Sequence, residues 1–417
     1  MSAPTASGRF RRDGFWEDQR AWLDGGFPGR REQIRAMQLG VLAGEHVFLL
    51  GPPGTGKTSL VRAFASMLCG RLFEQTLSRT RPDSAVLGPF DIPLLRDHGR
   101  FQRAIEGYLL DCEWAFLDEI GHIAPDLGHD LLAALSDRLR HDVDRGRSTH
   151  PIPLRTAFTA GNAIPGEDGS DDARALWDRL LVRVPVDYLD RADAALLLAG
   201  PVERASSPAS RSLADLDHDR RAVEAVRIAP TIIEAVLELR DRLREGGHVF
   251  SDRRWSAALG LCRAEAWLDG RVEVERRDLA TLRFVLWDSI EQRRSAIREV
   301  ALAADPSLAA AMTIVERARL LAEVCCSHRG DDAQTRSAWV REARRKHRAL
   351  ADAARELPVA AAWGGFDADA VGALAEASRA IAQLEQPSGQ NRPSTHGTAS
   401  SRASGRRDAP QRAGIAS

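Results

Sequence analysis

Lysine is nearly missing from this chain. Of 58 lysine and arginine residues, only Lys57 and Lys346 are lysine. Arginine carries a planar fork and lysine a compact point charge, so a lysine that stands against this bias marks a place where arginine will not serve. Net charge is scarce too: 58 basic residues against 59 acidic give -1 at neutral pH. That balance argues against nucleic acid or an anionic membrane as the general partner. No apolar run approaches the roughly 20 residues that span a bilayer, and Met1 to Arg12 holds no apolar core of the signal-peptide kind. Membrane insertion and secretion are therefore not expected, and a cytoplasmic location is. The five cysteines (Cys69, Cys112, Cys262, Cys325, Cys326) form no C-x-x-C pair, and no histidine spacing suggests zinc. They read as free thiols in a reducing compartment.

What is present is an alternation of short apolar runs and helical patterns, in a chain of 417 residues that exceeds one compact core. Residues 1–27 read as polar and irregular. Arg31–Ala43 reads as a helix, and His46–Leu50 as a buried strand running into a Gly/Pro turn. A helix from Lys57 to about Cys69, a strand at Trp114–Leu117, a helix over Asp126–Arg140 and a strand at Thr156–Ala160 follow. His141–Pro153 suggests a hairpin turning near Asp144–Gly146. Strands alternating with helices predict an α/β core, a parallel sheet with helices on both faces. After about residue 206 the strand signals stop. Helices are expected over Pro230–Arg244, Ser251–Leu268 and Arg276 to about Val300, then near 306–328, 335–357 and 367–385. Pro230 suits a first helical position, and Ser251 can cap the next helix. Beyond Gln386 hardly an apolar residue remains, which is the composition of a disordered segment.

The first scarce lysine lies in Gly51-Pro52-Pro53-Gly54-Thr55-Gly56-Lys57-Thr58, followed by Ser59. This fits G-x-x-x-x-G-K-[ST] between a strand and a helix, where the glycines let backbone N–H groups turn in around phosphates. The helix N-terminus adds its dipole. Lys57 is expected on the β- and γ-phosphates of ATP and the Thr58 hydroxyl on Mg²⁺. About 60 residues on, Trp114-Ala-Phe-Leu-Asp-Glu119 ends an apolar strand in two carboxylates. Asp118 is the expected metal-side carboxylate, and Glu119 the base that orients or deprotonates the attacking water. Asn162 closes the third strand and points into the crevice at the C-terminal ends of the strands, where ligands bind in open α/β sheets. It reads as a water-positioning amide or as a plain turn cap.

These motifs, in this order, resemble an AAA+ ATPase. The likeness sharpens to the MoxR group and its RavA-type regulatory ATPases through Gly88-Pro-Phe-Asp-Ile92, Gly99-Arg-Phe101, Gly107-Tyr-Leu109, Leu176-Trp-Asp-Arg-Leu-Leu-Val-Arg183 and Ser251-Asp-Arg-Arg-Trp255. It covers residues from about 28 to about 295. The resemblance implies an N-terminal extension (1–27), an AAA+ P-loop core (28–205), an all-α lid (206–300), a C-terminal helical extension (301–385) and a tail (386–417). It implies that Asn162 is the sensor-1 residue, Arg179 an arginine finger reaching a neighbour's ATP, and Arg253 the sensor-2 arginine, with Arg183 and Arg254 as near-neighbour candidates. It further implies a hexameric ring that remodels or matures a partner protein, often one with a von Willebrand factor A domain. The segment Pro82–Tyr108 resembles inserted elements that face the ring surface or pore. RavA-type proteins carry a β-rich partner-binding domain after the lid, whereas this chain shows only helical patterns there.

Three other readings compete. A nucleic-acid motor or loader would use the basic residues in 336–348 (Arg336, Arg341, Arg344, Arg345, Lys346, Arg348), but no zinc finger, helix-turn-helix or basic aromatic platform accompanies them. A chelatase-type metal-insertion ATPase shares the same motifs. A non-hydrolysing scaffold would need a broken catalytic set, and Lys57, Thr58, Asp118, Glu119, Asn162, Arg179 and Arg253 are all present.

Overall fold

Val47-Phe-Leu-Leu50 (β1) has no polar face, and all four residues are buried, as a strand in a sheet covered on both sides requires. The computed structural model describes residues 13–80, 82–123, 125–142, 148–166, 171–200, 207–328, 332–356 and 366–385. In it β1 joins Leu72–Thr76 (β2), Trp114–Asp118 (β3), Thr156–Gly161 (β6) and Val182–Pro185 (β7) in one sheet. The order is β2-β3-β6-β1-β7, with every pairing parallel. Leu139–Asp142 (β4) and Ser148–Pro151 (β5) pair antiparallel outside it. The turn expected near Asp144–Gly146 lies outside the described residues, as does the segment after Gln386.

Helices Phe15–Gly26 (α1), Arg31–Ala43 (α2), Lys57–Ala65 (α3), Ser84–Leu87 (α4), Ile92–His98 (α5), Pro125–Asp137 (α6), Asp171–Arg179 (α7) and Arg191–Leu198 (α8) belong to the sheet half of the chain. The pleat sends alternate residues to opposite faces. Val47 and Leu49 enter one core with Met37 of α2 and Phe64 of α3. Phe48 and Leu50 enter another with Leu131 of α6 and Trp177 of α7. Within the segment 1–27, expected to be irregular, residues 15–26 form a helix instead. Phe15, Trp16 and Leu23 form the buried stripe of α1, and the Trp16 Nε1 donates to Asp219 Oδ2 at 2.9 Å.

Leu213–Glu224 (α9), Pro230–Glu245 (α10), Asp252–Leu268 (α11) and Ile290–Ala304 (α12) follow without a strand. Pro230 opens α10, and the Ser251 hydroxyl accepts the Arg254 N–H to cap α11. The long helix expected over Arg276–Val300 is two pieces. A 3-10 segment, Arg276–Phe284, begins with a Glu275/Asp278 capping box, and a bend at Val285–Asp288 separates it from α12, which Ser289 caps.

The chain divides into a unit that runs to Thr313 and a second, smaller unit of Ile314–Glu356 with the residues from Asp367 on. The helices Pro306–Ser327 (α13), Ala333–Glu356 (α14) and Phe366–Glu385 (α15) give the second unit its own core, with Leu321, Cys325, Ala343, Ala377, Ile381 and Leu384. Among the described residues no helix is long and apolar enough to cross a membrane.

Candidate functional site: a phosphate cradle and an arginine edge

The loop after β1 is pressed against its neighbours. The Gly51 N–H donates to the Gly161 carbonyl at 3.0 Å, and a Cβ on Gly51 would sit 2.1 Å from the Val186 carbonyl oxygen. Only glycine fits there. Gly54 and Gly56 hold φ of 79° and 84°, the left-handed region that side chains resist. Their curvature delivers the chain to α3, whose first N–H groups have no partner within the helix and, with the dipole, favour an anion.

Lys57 opens α3 with only 8% of its surface exposed. Its Nζ donates to the Gly51 carbonyl at 2.6 Å and the Pro52 carbonyl at 2.9 Å, placing the ammonium at the loop. Burial draws its pKa below the ordinary lysine value, against the pull of Asp118 and Glu119. Thr58 is half-buried and Ser59 exposed on the first turn of α3. The Thr55 hydroxyl ties back to the Pro52 carbonyl at 3.0 Å.

Asp118 ends β3, and its Oδ1 accepts the Glu119 N–H at 3.0 Å. Glu119 has φ 57° and ψ 41°, a left-handed conformation that costs a non-glycine residue roughly 1–3 kcal/mol. Strain of this kind needs a surrounding that enforces it. Here the Asn162 Nδ2 donates to Glu119 Oε1 at 3.1 Å. β6 lies between β1 and β3, so Asn162, just past its end, stands between the phosphate loop and the carboxylates. One hydroxyl (Thr58) and one carboxylate (Asp118) are hard oxygen donors of the type magnesium takes beside phosphate oxygens. The residues therefore fit ATP with Mg²⁺.

Two side chains here escaped sequence reasoning. Arg30, the residue before α2, is 7% exposed and donates to the carbonyls of Thr55 at 3.2 Å and Asp187 at 2.8 Å, bracing the loop from behind. The Tyr188 hydroxyl lies 3.4 Å from the Pro53 carbonyl. No local motif marks either residue, because Arg30 precedes β1 and Tyr188 follows β7, both outside the loop they touch.

The expected arginines lie elsewhere. The Arg179 Nε donates to the Ser136 hydroxyl at 2.8 Å, beside the Leu135 carbonyl that meets His46 at 2.8 Å. The exposed Arg253 stands close enough to Glu45, His46 and Arg138 to shift their titration. Glu45 and His46 precede β1, whereas the phosphate loop follows it. A four-residue strand at about 3.3 Å per residue separates the two ends by roughly 13 Å. Lys57, Thr58, Asp118, Glu119 and Asn162 thus gather at the C-terminal ends of the strands, and Arg179 and Arg253 near the N-terminal ends.

Their neighbours are structural. Arg183, on β7, is fully buried over the Trp177 ring at 3.7 Å and donates to the carbonyls of Leu180, Trp177 and Trp287. Its guanidinium and that of Arg254 each reach Asp288 Oδ1 at 2.8 Å, and Arg254 also reaches Asp178 at 3.0 Å. Burial, with Arg254 beside it, pulls the Arg183 pKa down to about 9. Burial alone would raise Asp288, but Arg254 and Arg183 hold it below the usual carboxylate value.

Comparison with known proteins gives the family. Residues 18–220 match the MoxR domain of the MoxR–vWA–beta-propeller ternary systems, and residues 231–300 match an AAA lid domain. The chain belongs to the MoxR family of AAA+ ATPases. Two uncharacterized proteins of Methanocaldococcus jannaschii are 31% and 30% identical to it over 275 and 278 residues, 66% of this chain in each case and 70% and 72% of theirs. Protein MoxR of Paracoccus denitrificans is 28% identical over 184 residues, 41% of this chain and 50% of that protein. A solved structure from Cytophaga hutchinsonii described as a candidate ATPase superposes with a TM-score of 0.55 at 16% identity. That match covers 69% of this chain and 94% of the other, and bears on the fold alone. None of these matches separates out the RavA-type subgroup expected from the sequence. The MoxR match runs from within α1 to within α9, and the lid match begins within α10.

Proposed function

We propose that this MoxR-family chain hydrolyses ATP at a site completed between neighbouring copies in a ring, and uses the cycle to remodel or mature a partner protein. The observation that carries the reading is the separation described above. The phosphate cradle, with Asp118, Glu119 and Asn162, lies at the C-terminal ends of the strands; Arg179 and Arg253 lie near the N-terminal ends. A head-to-tail contact joins unlike ends, and closing it gives a ring.

In this reading the α3 N-terminus and Lys57 hold the β- and γ-phosphates, and Thr58 and Asp118 hold the magnesium ion, which offsets phosphate charge. Asn162 and Glu119 orient a water, and Glu119 takes its proton as the water oxygen bonds the γ-phosphorus. The bond to the β–γ bridging oxygen breaks, and ADP and phosphate result. A neighbour's Arg179 and Arg253 offset the charge spread over the γ-oxygens, an effect worth about 10³–10⁵ in rate for arginine fingers elsewhere. The ternary systems named by the matching family include a vWA component, which makes a protein with that domain the expected partner. A cytoplasmic location follows from this role.

The test is ATP turnover against protein concentration for wild type, Glu119→Gln and Arg179→Ala. Specific activity should rise with concentration and vanish in both variants while each still binds ATP. Mixing the two variants should restore part of it, because one interface in the mixture pairs an intact cradle with an intact arginine. Activity that is independent of concentration and untouched by Arg179→Ala would sink the shared-site reading.

A further inference from the structure

Lys346, the second of the two lysines, has no place in the nucleotide chemistry. It stands on the rim of a cavity of about 380 Å³ within the second unit. Such a volume falls in the range of real binding pockets, about 300–1,000 Å³. Its wall on α13 runs from Arg317 to His328 and its wall on α14 from Trp339 to Leu350, while α15 contributes Leu384 to the floor. Each wall spans about 16 Å at 1.5 Å per residue. His328, near the end of α13, stacks on Trp339, near the start of α14, at 4.0 Å. The two helices therefore run in opposite directions along the two sides of a trough.

On α13 the lining residues are Arg317, Leu320, Leu321, Val324, Cys325 and His328. Their spacing of three and four is that of one helix stripe, the pattern that packs against another helix. Leu321 and Cys325 face the unit's own core, but Leu320 is 59% exposed on the rim. Three helices with such a trough make a bundle that lacks one member.

The rim is basic on balance, with Arg317 and Lys346 against Glu342. Arg317 and Lys346 border the apolar floor, and Lys346 meets Glu342 only at 3.6 Å, where Arg345 also binds the same carboxylate at 2.8 Å. Residues 333–356 hold seven basic residues against three acidic ones, in a chain whose balance is -1. The residues that follow α15 do not match this surface. Residues 386–417 carry five arginines and one aspartate, with almost no large apolar side chain.

We propose that the trough between α13 and α14 is the docking groove for an acidic amphipathic helix of a partner protein. Apolar side chains at i, i+3, i+4 and i+7 enter the trough, as in helix-in-groove recognition elsewhere. The flanking carboxylates meet Arg317 and Lys346, and fix direction and speed of association. The inference does not depend on the ATPase reading, since no residue of the cradle takes part.

The test uses the full chain and a fluorescent peptide of about 15 residues, roughly 22 Å as a helix, with leucines at that spacing and glutamates elsewhere. Comparators carry the same leucines with lysines, or the same composition scrambled. The acidic peptide should bind at least tenfold more tightly than either, and more weakly as salt rises. Leu320→Asp and Lys346→Glu, both at exposed positions, should each weaken it about tenfold while unfolding temperature and ATP turnover stay at the wild-type level. Equal binding of all three peptides, or no binding of the acidic one, overturns the proposal. So does a change in sedimentation of the peptide-free protein on Leu320→Asp, which would mean that a second copy fills the trough. Binding of dodecanoate blocked by Leu320→Asp, with no peptide bound, would make it a site for small amphiphiles and overturn the helix.

Discussion

Replacing Asp288 by Asn keeps the shape of the side chain and removes one charge, and the structure sets what should follow. The Asp288 Oδ1 accepts from Arg183 and Arg254 at 2.8 Å each and from the Trp177 Nε1 at 3.1 Å. It is the only carboxylate that Arg183 pairs with among the described residues. Arg183 is fully buried, so the loss leaves a guanidinium uncompensated, and removal of one partner from a buried pair typically costs about 3–5 kcal/mol. Two features reduce this. The Asp288 side chain is 36% exposed, so water screens part of the field, and Arg254 keeps Asp178 at 3.0 Å. The expected cost is therefore about 2 kcal/mol. Spread over a unit this large, at about 2 °C per kcal/mol, the unfolding midpoint should fall by roughly 4 °C. Tryptophan fluorescence during heating reads it directly, since Trp177 and Trp287 flank the pair. Asp241→Asn, at an exposed position, is the control. The frame also ties α7, and with it Arg179, to the start of α12, so ATP turnover should fall with stability. A midpoint within 1 °C of the control would refute the reasoning, for the charge of Asp288 would then contribute nothing.

Two further outcomes follow from the sheet half. His46 is fully buried, and burial with Arg138 beside it holds its pKa well below 6.5. Below pH 6.5 the unfolded chain binds a proton that the folded chain refuses, so stability should fall with pH there, by up to about 1.4 kcal/mol per unit. Urea midpoints of wild type and His46→Gln between pH 7.5 and 5 should converge as pH falls, and parallel lines would contradict the assignment. Gly51→Ala would place a methyl 2.1 Å from the Val186 carbonyl. Backbone cannot yield as a flexible side chain can, so nucleotide binding measured with a fluorescent ATP analogue should be lost at concentrations that saturate wild type.

The parts legible in the sequence are those written in consecutive residues. The cradle is one stretch between strand and helix, and β1, β3 and β6 are short runs of mostly apolar residues, buried up to the half-buried Asp118, because both faces are covered. β2 and β7 went unread for opposite reasons. β2 is an edge strand whose residues alternate in burial, with only Phe73 fully inside. β7 carries a buried arginine in Val-Arg-Val-Pro, and its charge breaks the apolar run. α1 went unread because its stripe of Phe15, Trp16 and Leu23 is set among charges and followed by Gly25 and Gly26. The arginine motifs showed themselves in the sequence, but not the end of the strands near which they would lie. That depends on where α7 and α11 dock, which no local pattern records.

The position of β1 also bears on how the chain is made. Of the five strands in this sheet it is the first to leave the ribosome, yet it stands between β6 and β7 and touches neither β2 nor β3. Its first partner, β6, ends 111 residues later, so at about 5–20 residues per second β1 waits roughly 6–22 s with both edges open. Unpaired apolar strands recruit other chains. The nascent protein must therefore pass through a stage in which its nucleotide loop is complete in sequence while the strand that holds it has nothing to pair with.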